Sequence, residues 1–340
     1  MMKKGFYLLL HVNHYIQKLK EDYRLKRKVI LDVDPGIDDA IAIITALKSN
    51  DNDIVGITTV SGNVNSRIGV LNTRYILNIL GRSDIPVIQG PARSIAKKKL
   101  STKIKRRLED IHGKGGLAGI SMDSLKKELS MTKTTFYDFI EGIIQNHRND
   151  EISIIATGPL TNIATAIVDN PSFTSRIHKI TIMGGAFGLA SKTLGNVTRF
   201  AEFNFYCDPE AAKIVLNPEL KLDTRIVGLD LTQSPKCAIN AKFLERVVNY
   251  DTPIDRLVTS LLGFAISKSN FFHLHDVFAV MMFQKPSLFE FKRGNIDITS
   301  EGTRRGHTKF NENKVSGNVL VAMAVNERKF KNALLNSLSN

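Results

Sequence analysis

Tryptophan is absent from these 340 residues and cysteine occurs only twice. Cys207 and Cys237 are too few for a disulfide framework and lack metal-ligand spacing, so buried, reduced thiols are expected. No apolar run approaches the length needed to span a bilayer, so no membrane association is expected. Phe6 to Leu10 form a short apolar patch behind two lysines. His11 and Asn13 interrupt it and no small-residue cleavage site follows, so a cytoplasmic protein is expected. Acids are also scarce, 33 against 47 Lys and Arg, for a net charge of +14. The excess is local. Residues 1–28 carry +6 and residues 92–107 carry +8, which leaves the remainder close to neutral. The run from Lys97-Lys98-Lys99 to Arg106-Arg107 has no interleaved aromatic residue on which bases could stack, so a solvated face or mobile loop is expected there. A nucleic-acid-binding module built on it is the weaker alternative, and no specific nucleic-acid partner is expected.

What is present is an unusual density of aspartate at one place. Val29-Ile30-Leu31-Asp32-Val33-Asp34-Pro35-Gly36-Ile37-Asp38-Asp39-Ala40 reads as a buried strand, a Pro-Gly turn and the start of a helix. Four carboxylates then crowd a strand end and a helix's first turn, where like charges repel. Capping and turn formation explain one or two of them. Four within eight residues point to a bound divalent metal, which would neutralise them.

Strand and helix patterns alternate along most of the chain. Buried strands are predicted at 53–60, 85–88, 152–156, 179–183 and 224–229, and later ones at 296–298 and 319–325. Helices are predicted at 67–80, 136–147, from 163, from 208, over 241–249 and 254–267, and at 327–338. The alternation predicts an α/β fold with a mainly parallel, Rossmann-like sheet flanked by helices and a small antiparallel addition near the C-terminus. Residues 1–27 read as a basic extension, with positions 12–20 fitting a short amphipathic helix, and residues 28–340 as one large domain. Four glycines at 113–119 mimic a dinucleotide fingerprint, but no strand precedes them and the spacing is imperfect, so a mobile loop is expected. In such sheets ligands sit beyond the carboxyl ends of the strands. The polar groups predicted there are Asp34, Asp38, Asp39, Asn63, Thr157, Glu202 and Asn204, with Met183 beside Gly184-Gly185. His275-Asp276 would join them from a helix start.

Asp32 to Ala40 resembles the N-terminal signature of the inosine–uridine-preferring nucleoside hydrolases. The resemblance continues through Gly56 to Val60 with Gly62-Asn63, Thr157-Gly158 with Leu160-Thr161-Asn162, Met183-Gly184-Gly185, Ala201 to Asn204 with Asp208-Pro209-Glu210, and His275-Asp276. It implies a nucleoside hydrolase-like catalytic domain that cleaves the N-glycosidic bond of ribonucleosides to base and ribose, in nucleoside salvage, as a homodimer or homotetramer. It also implies Ca²⁺ held by Asp34, Asp39, Asp276 and the Thr157 carbonyl, a water on the metal with Asp34 as its general base, and His275 as proton donor to the departing base. Asp38, Asn63, Asn196, Glu202 and Asn204 would grip the ribose, with Met183 against the sugar. His275 is expected to titrate near the working pH. Gln233 stands where relatives often carry a histidine, and Val277 where proline is common. The region 262–274, which would read the base, offers Phe264, Phe271, Phe272 and His273 and no tyrosine. An aspartate-nucleophile phosphatase is the rival enzyme class, from the Asp32-x-Asp34 pair. It ranks behind because Gly36 stands where that class needs threonine.

Overall fold

The side chains of β1 (Arg27–Val33) alternate between the faces of the central sheet. Val29, Leu31 and Val33 enter one hydrophobic core and Ile30 the other. The computed structural model describes residues 27–49, 52–121, 134–145, 152–189, 195–247 and 251–339. The expected helix over 12–20 lies outside them, and the first strand starts at Arg27.

After β1 the chain turns at Pro35-Gly36 into α1 (Ile37–Leu47). β2 (Asn52–Thr59), α2 (Ser66–Ile79), β3 (Val87–Gln89), α3 (Thr102–His112) and α4 (Phe136–Gln145) follow. β4 (Ile152–Ala156) leads to α5 (Thr161–Asp169), β5 (Ile177–Met183), α6 (Phe203–Cys207), α7 (Pro209–Val215) and β6 (Thr224–Val227). The remainder comprises α8 (Leu229–Thr232), β7 (Ile239–Asn240), α9 (Ala241–Val247), α10 (Pro253–Ser269), β8 (Phe271–Phe272), α11 (His275–Gln284), β9 (Phe289–Ile298), β10 (Thr308–Glu312), β11 (Val319–Val325) and α12 (Glu327–Ser339).

Among the described residues, nine strands form one sheet in the order β10-β9-β11-β6-β5-β4-β1-β2-β3. From β3 to β11 every neighbouring pair is parallel, whereas β9 and β10 run antiparallel at the edge. The expected architecture is therefore present, with β10 an added strand. The chain runs outward from β1 through β2 to β3, then returns to place β4 on β1's other side. The crevice between β1 and β4 is the topological switch point, where such folds bind ligands.

α11 shows why its sequence is apolar on all sides. It packs on α1 and over β4, β5 and β6, and every residue from Asp276 to Gln284 is buried. The rings of Phe278 and Phe330 of α12 stack at 4.3 Å behind it. α1 is likewise buried from Ile37 to Ala46. Two buried helices thus aim their first turns at the switch point.

Of the two readings of the basic run the solvated face holds, since the cations of residues 92–107 are all exposed, and residues 102–112 form a helix, which corrects the mobile-loop alternative. Ser101 caps it by accepting from the Ile104 amide at 3.3 Å. Its apolar stripe is Ile104, Leu108 and Ile111, a helical spacing hidden within the charge run. The glycine cluster that follows is a packed turn, not a mobile loop. Gly113, Gly115, Gly116 and Gly119 all take positive φ, Leu117 is buried, and Asn72 Nδ2 donates to the Gly115 carbonyl at 2.8 Å. Cys237 is buried as expected and Cys207 is half-buried; both thiols are free. No helix among the described residues is long and apolar enough to cross a membrane.

Candidate active site

A cavity of about 920 Å³ opens at the switch point. Nine of the predicted site residues line it: Asp38, Asn63, Thr157, Met183, Asn196, Glu202, Asn204, His275 and Asp276. Asp34 and Asp39 lie fully buried beneath its floor. Carboxylate oxygens of Asp38, Asp39 and Asp276 all lie within 4.8 Å of one another, an arrangement able to hold a metal ion. Asp34 stands outside this trio, although the resemblance places it among the ligands and gives Asp38 to the ribose.

The local sequence accounts for each position. Asp39 sits at the third residue of α1 and accepts from the Gly36 amide at 3.1 Å, so the capping reading of this aspartate also holds. It further accepts from Thr157 Oγ1 at 2.8 Å and Asn63 Nδ2 at 3.2 Å, which ties the ends of β1, β2 and β4 together. Asp34 Oδ2 accepts from the Asn63 amide at 2.6 Å, whereas its Oδ1 is buried with no hydrogen-bond partner among the described residues. Asp38 Oδ1 is similarly unpartnered. Asp32 belongs to the support beneath. Its Oδ1 accepts from Thr58 Oγ1 at 2.7 Å and Asn162 Nδ2 at 2.6 Å.

The opposite wall hangs from Glu202. This buried carboxylate caps α6, accepting from the amides of Asn204 at 2.7 Å, Phe205 at 3.0 Å and Gly185 at 3.0 Å. Asn204 Nδ2 then reaches the Thr157 carbonyl at 2.6 Å and the Met183 carbonyl at 3.2 Å. Asn196 brings an unpartnered Oδ1 to the same wall.

Burial pushes these acids upward. Asp32 rises to about 7, chiefly by desolvation. Asp38 rises to about 7 by desolvation and the nearby Asp39 charge. Asp34 and Asp276 stand well above the usual carboxylate range, from desolvation and then from neighbouring aspartates. Glu202 is raised by burial, against the pull of its amide donors. Without a counter-charge the cluster therefore retains protons near neutral pH. The N-termini of α1 and α11 offset part of the repulsion.

The histidines depart from expectation. Burial, with His273 and His112 nearby, pushes His275 down to about 3, so its ring is neutral at pH 7. It therefore does not titrate near the working pH, because a desolvated imidazole disfavours its charged form. Its Nδ1 lies 2.8 Å from Thr232 Oγ1, which fixes the ring's orientation. His112 is a site residue that the sequence reading passed over. Its Nδ1 accepts from the Ile37 amide at 3.1 Å, at the head of α1 and 3.9 Å from Asp38 Oδ1. Burial lowers its pKa to about 4. The signal for it was the histidine directly before the glycine turn. The remaining wall comes from α3 and from Lys268 to His273, including Phe271 and Phe272 of the expected base-reading region; Phe264 does not line the cavity.

Comparison with known proteins places this geometry. The profile of the family described as inosine-uridine preferring nucleoside hydrolase matches residues 29–332. Uridine nucleosidase 1 of Arabidopsis thaliana is 33% identical over 287 residues, covering 83% of this chain and 81% of that protein. The solved plant nucleoside hydrolase PpNRh1 superimposes with a TM-score of 0.81 at 29% identity, over 93% of this chain and 99% of the other. The purine-preferring ribonucleoside hydrolase of Gardnerella vaginalis gives 0.81 at 27% identity, over 92% and 98%.

Proposed function

This chain belongs to the inosine-uridine preferring nucleoside hydrolase family and is a hydrolase of N-glycosyl compounds, and from that premise we propose that it cleaves ribonucleosides to free base and ribose with Asp34 as general base beside a bound Ca²⁺. The observation that carries the reading is the buried acid cluster at the switch point. Asp38, Asp39 and Asp276 converge there, and unpartnered oxygens of Asp34 and Asp38 are held out of water. Buried oxygens without donors are what a hard, oxygen-seeking cation requires. Asp34, Asp39, Asp276 and the Thr157 carbonyl would hold the ion, which when bound supplies charge neutralisation and a more acidic water.

The remaining work falls to the protein. Asp34 Oδ1 is free to accept the proton of the attacking water while Oδ2 stays anchored on the Asn63 amide. Asp38, Asn63, Asn196, Glu202 and Asn204 orient the ribose, and Met183 packs against it. The acids of the cavity favour the positive charge that grows on the sugar as the C1′–N bond breaks. His275 is neutral, and Thr232 holds its Nδ1. It acts by hydrogen bonding to the departing base through Nε2, not by delivering a proton from imidazolium. The phosphatase alternative recedes because Asp32 is spent on Thr58 and Asn162, so Asp32 and Asp34 do not share a site.

A reducing-sugar assay over uridine, cytidine, inosine, adenosine and guanosine, with and without chelator, tests the reading. Ribose release from at least one, lost on chelation, is the expected result. No release from any of them overturns it. Salvage is the role this reading carries, with a homodimer or homotetramer as assembly, which light scattering in solution reads.

Gly62 gives a second test. A Cβ there would lie 2.0 Å from Asp34 Oδ2 and 2.9 Å from Pro159 Cδ, so alanine must push the carboxylate aside. Gly62→Ala is expected to lower kcat/KM about 100-fold, since misplacing a reacting group by an ångström costs roughly that much. Unchanged kcat/KM would show that the position of Asp34 does not matter.

A further inference from the structure

The wall opposite the acid cluster is carried by a helix too short to hold itself. α6 has 5 residues, whereas an isolated helix needs roughly 12–15 to be even marginally stable in water. Glu202, a site residue, caps its N-terminus, and its C-terminal carbonyls need a partner from elsewhere. Arg305 supplies one from the connection between β9 and β10. Its Nε donates to the Tyr206 carbonyl at 3.2 Å and its Nη2 to the Cys207 carbonyl at 3.4 Å. Nη1 and Nη2 also form a bidentate pair with the Glu210 carboxylate of α7, at 2.8 and 3.0 Å. Nη1 further donates to the Ser300 carbonyl at 2.8 Å, so all five N–H groups of the guanidinium are used. The Arg305 side chain is 11% exposed, which separates this pair from the weak ion pairs of an open surface.

The residues after Arg305 fasten the same wall. Gly306 takes a φ of 77° and lies against the Tyr206 backbone, where a Cβ would come within 2.6 Å of Tyr206 Cα. His307 forms an antiparallel bridge with Ala201. Thr308 Oγ1 accepts from the Ala186 amide at 3.0 Å and donates to the Ala186 carbonyl at 2.8 Å. The stretch from Ala186 to Cys207 holds Asn196, Glu202 and Asn204. Both its ends are thus tied to Arg305-Gly306-His307-Thr308, a segment that does not itself line the cavity.

We propose that Arg305 is a positioning residue for sugar recognition, which holds α6 from outside the cavity so that Glu202 and Asn204 meet the ribose. The inference rests on the nucleoside hydrolase reading, which gives those two residues to the sugar. The lever is short. The Tyr206 amide donates to the Glu202 carbonyl at 2.9 Å and the Asp208 amide to the Asn204 carbonyl at 3.3 Å, so Arg305 grips α6 one helical turn from the groups it places. A lysine there keeps a charge for Glu210 but loses the planar fork that reaches several acceptors at once. A ribose whose vicinal hydroxyls face the acid cluster turns its remaining hydroxyl, the 5′, to the opposite wall, and that hydroxyl reports where the wall stands.

The test measures kcat/KM for uridine, 5′-deoxyuridine and 2′-deoxyuridine, in Ca²⁺, with the full-length wild type, Arg305→Met, Arg305→Lys and Glu210→Gln. The wild type is expected to favour uridine over 5′-deoxyuridine by about 100-fold or more, because buried groups built to hold a hydroxyl are left unpaired without it. Arg305→Met is expected to lower kcat/KM on uridine about 10- to 100-fold and on 5′-deoxyuridine far less, so that this preference shrinks about tenfold or more. Its preference for uridine over 2′-deoxyuridine, set at the acid cluster, should stay within a few-fold of wild type. Arg305→Lys should recover part of the 5′ preference, and Glu210→Gln, which leaves the three carbonyl contacts, should lose least. Thermal melts show which variants fold; should Arg305→Met fail to, the other two carry the same comparison. A 5′ preference unchanged in the folded variants overturns this inference alone, even if activity falls, because a merely structural role lowers all three substrates equally. So does a wild type indifferent to the 5′-hydroxyl. A wild type that releases no ribose from uridine overturns the nucleoside hydrolase reading with it.

Discussion

Asp34→Asn is expected to reduce nucleoside turnover by about 10³-fold or more and to leave the fold intact. The amide keeps an oxygen for the Asn63 N–H, which now reaches Asp34 Oδ2 at 2.6 Å, so the turn after β2 retains its anchor. What disappears is the basic oxygen. Positioned general bases contribute roughly 10²–10⁴-fold, and this substitution also withdraws negative charge from beside the developing sugar cation. Folding should suffer little in the chelated protein, because burial and repulsion from Asp39 already oppose a charge at this position. Stopped assays with uridine measure the first effect and urea denaturation under chelator the second. Turnover within a few-fold of wild type would remove Asp34 from the mechanism, whatever the metal does.

Excess Ca²⁺ is expected to raise the free energy of unfolding by about 4 kcal/mol at a thousand-fold over its Kd, as for any ligand that binds only the folded chain. Asp276→Asn should abolish most of that gain, since it withdraws one of the three converging carboxylates. The pH dependence has a definite sign. A carboxyl raised to about 7, as Asp38 is, holds more protons folded than unfolded between roughly pH 4 and 7. Its contribution to metal-free stability is therefore full below the unfolded pKa and falls as pH rises through about 7. His112, lowered to about 4, and His275, lowered to about 3, pull oppositely over part of the same range. Proton release on Ca²⁺ binding separates the two effects, because the ion needs ionised carboxylates. Calorimetry in buffers of different ionisation enthalpy should find protons expelled at pH 6 and few above pH 8. Equal denaturation curves in Ca²⁺ and in chelator would eliminate the ion from this site.

Much of this was legible in the sequence because strand ends and helix starts announce themselves locally. Asp34 through Asp39 follow an apolar run and precede another, so their crowding at one sheet edge needs only period counting. Asn63, Thr157 and Met183 are each read from the end of a buried strand in the same way. What stayed hidden depends on contacts between distant segments. The helical spacing of Ile104, Leu108 and Ile111 was masked by cations on the other faces. His112 acquires its role only because α3 returns it to the head of α1, 75 residues earlier. The neutrality of His275 follows from burial, and burial is a property of the assembled walls. β10 was missed because Thr308 to Glu312 alternates weakly, its pairing with β9 being set by the neighbouring strand and not by its own pattern.

The convergence of α1 and α11 on one point has a consequence for synthesis on the ribosome. Asp276 is translated roughly 240 residues after Asp38. At about 5–20 residues per second, the nascent chain carries an incomplete acid cluster for some tens of seconds. A chain that stops before α11 carries Asp38 and Asp39 but lacks Asp276, the carboxylate that closes the trio. On the function proposed above, the trio that would hold the ion is complete only once Asp276 has been made, so ion uptake by a nascent chain is expected only after translation has passed that residue.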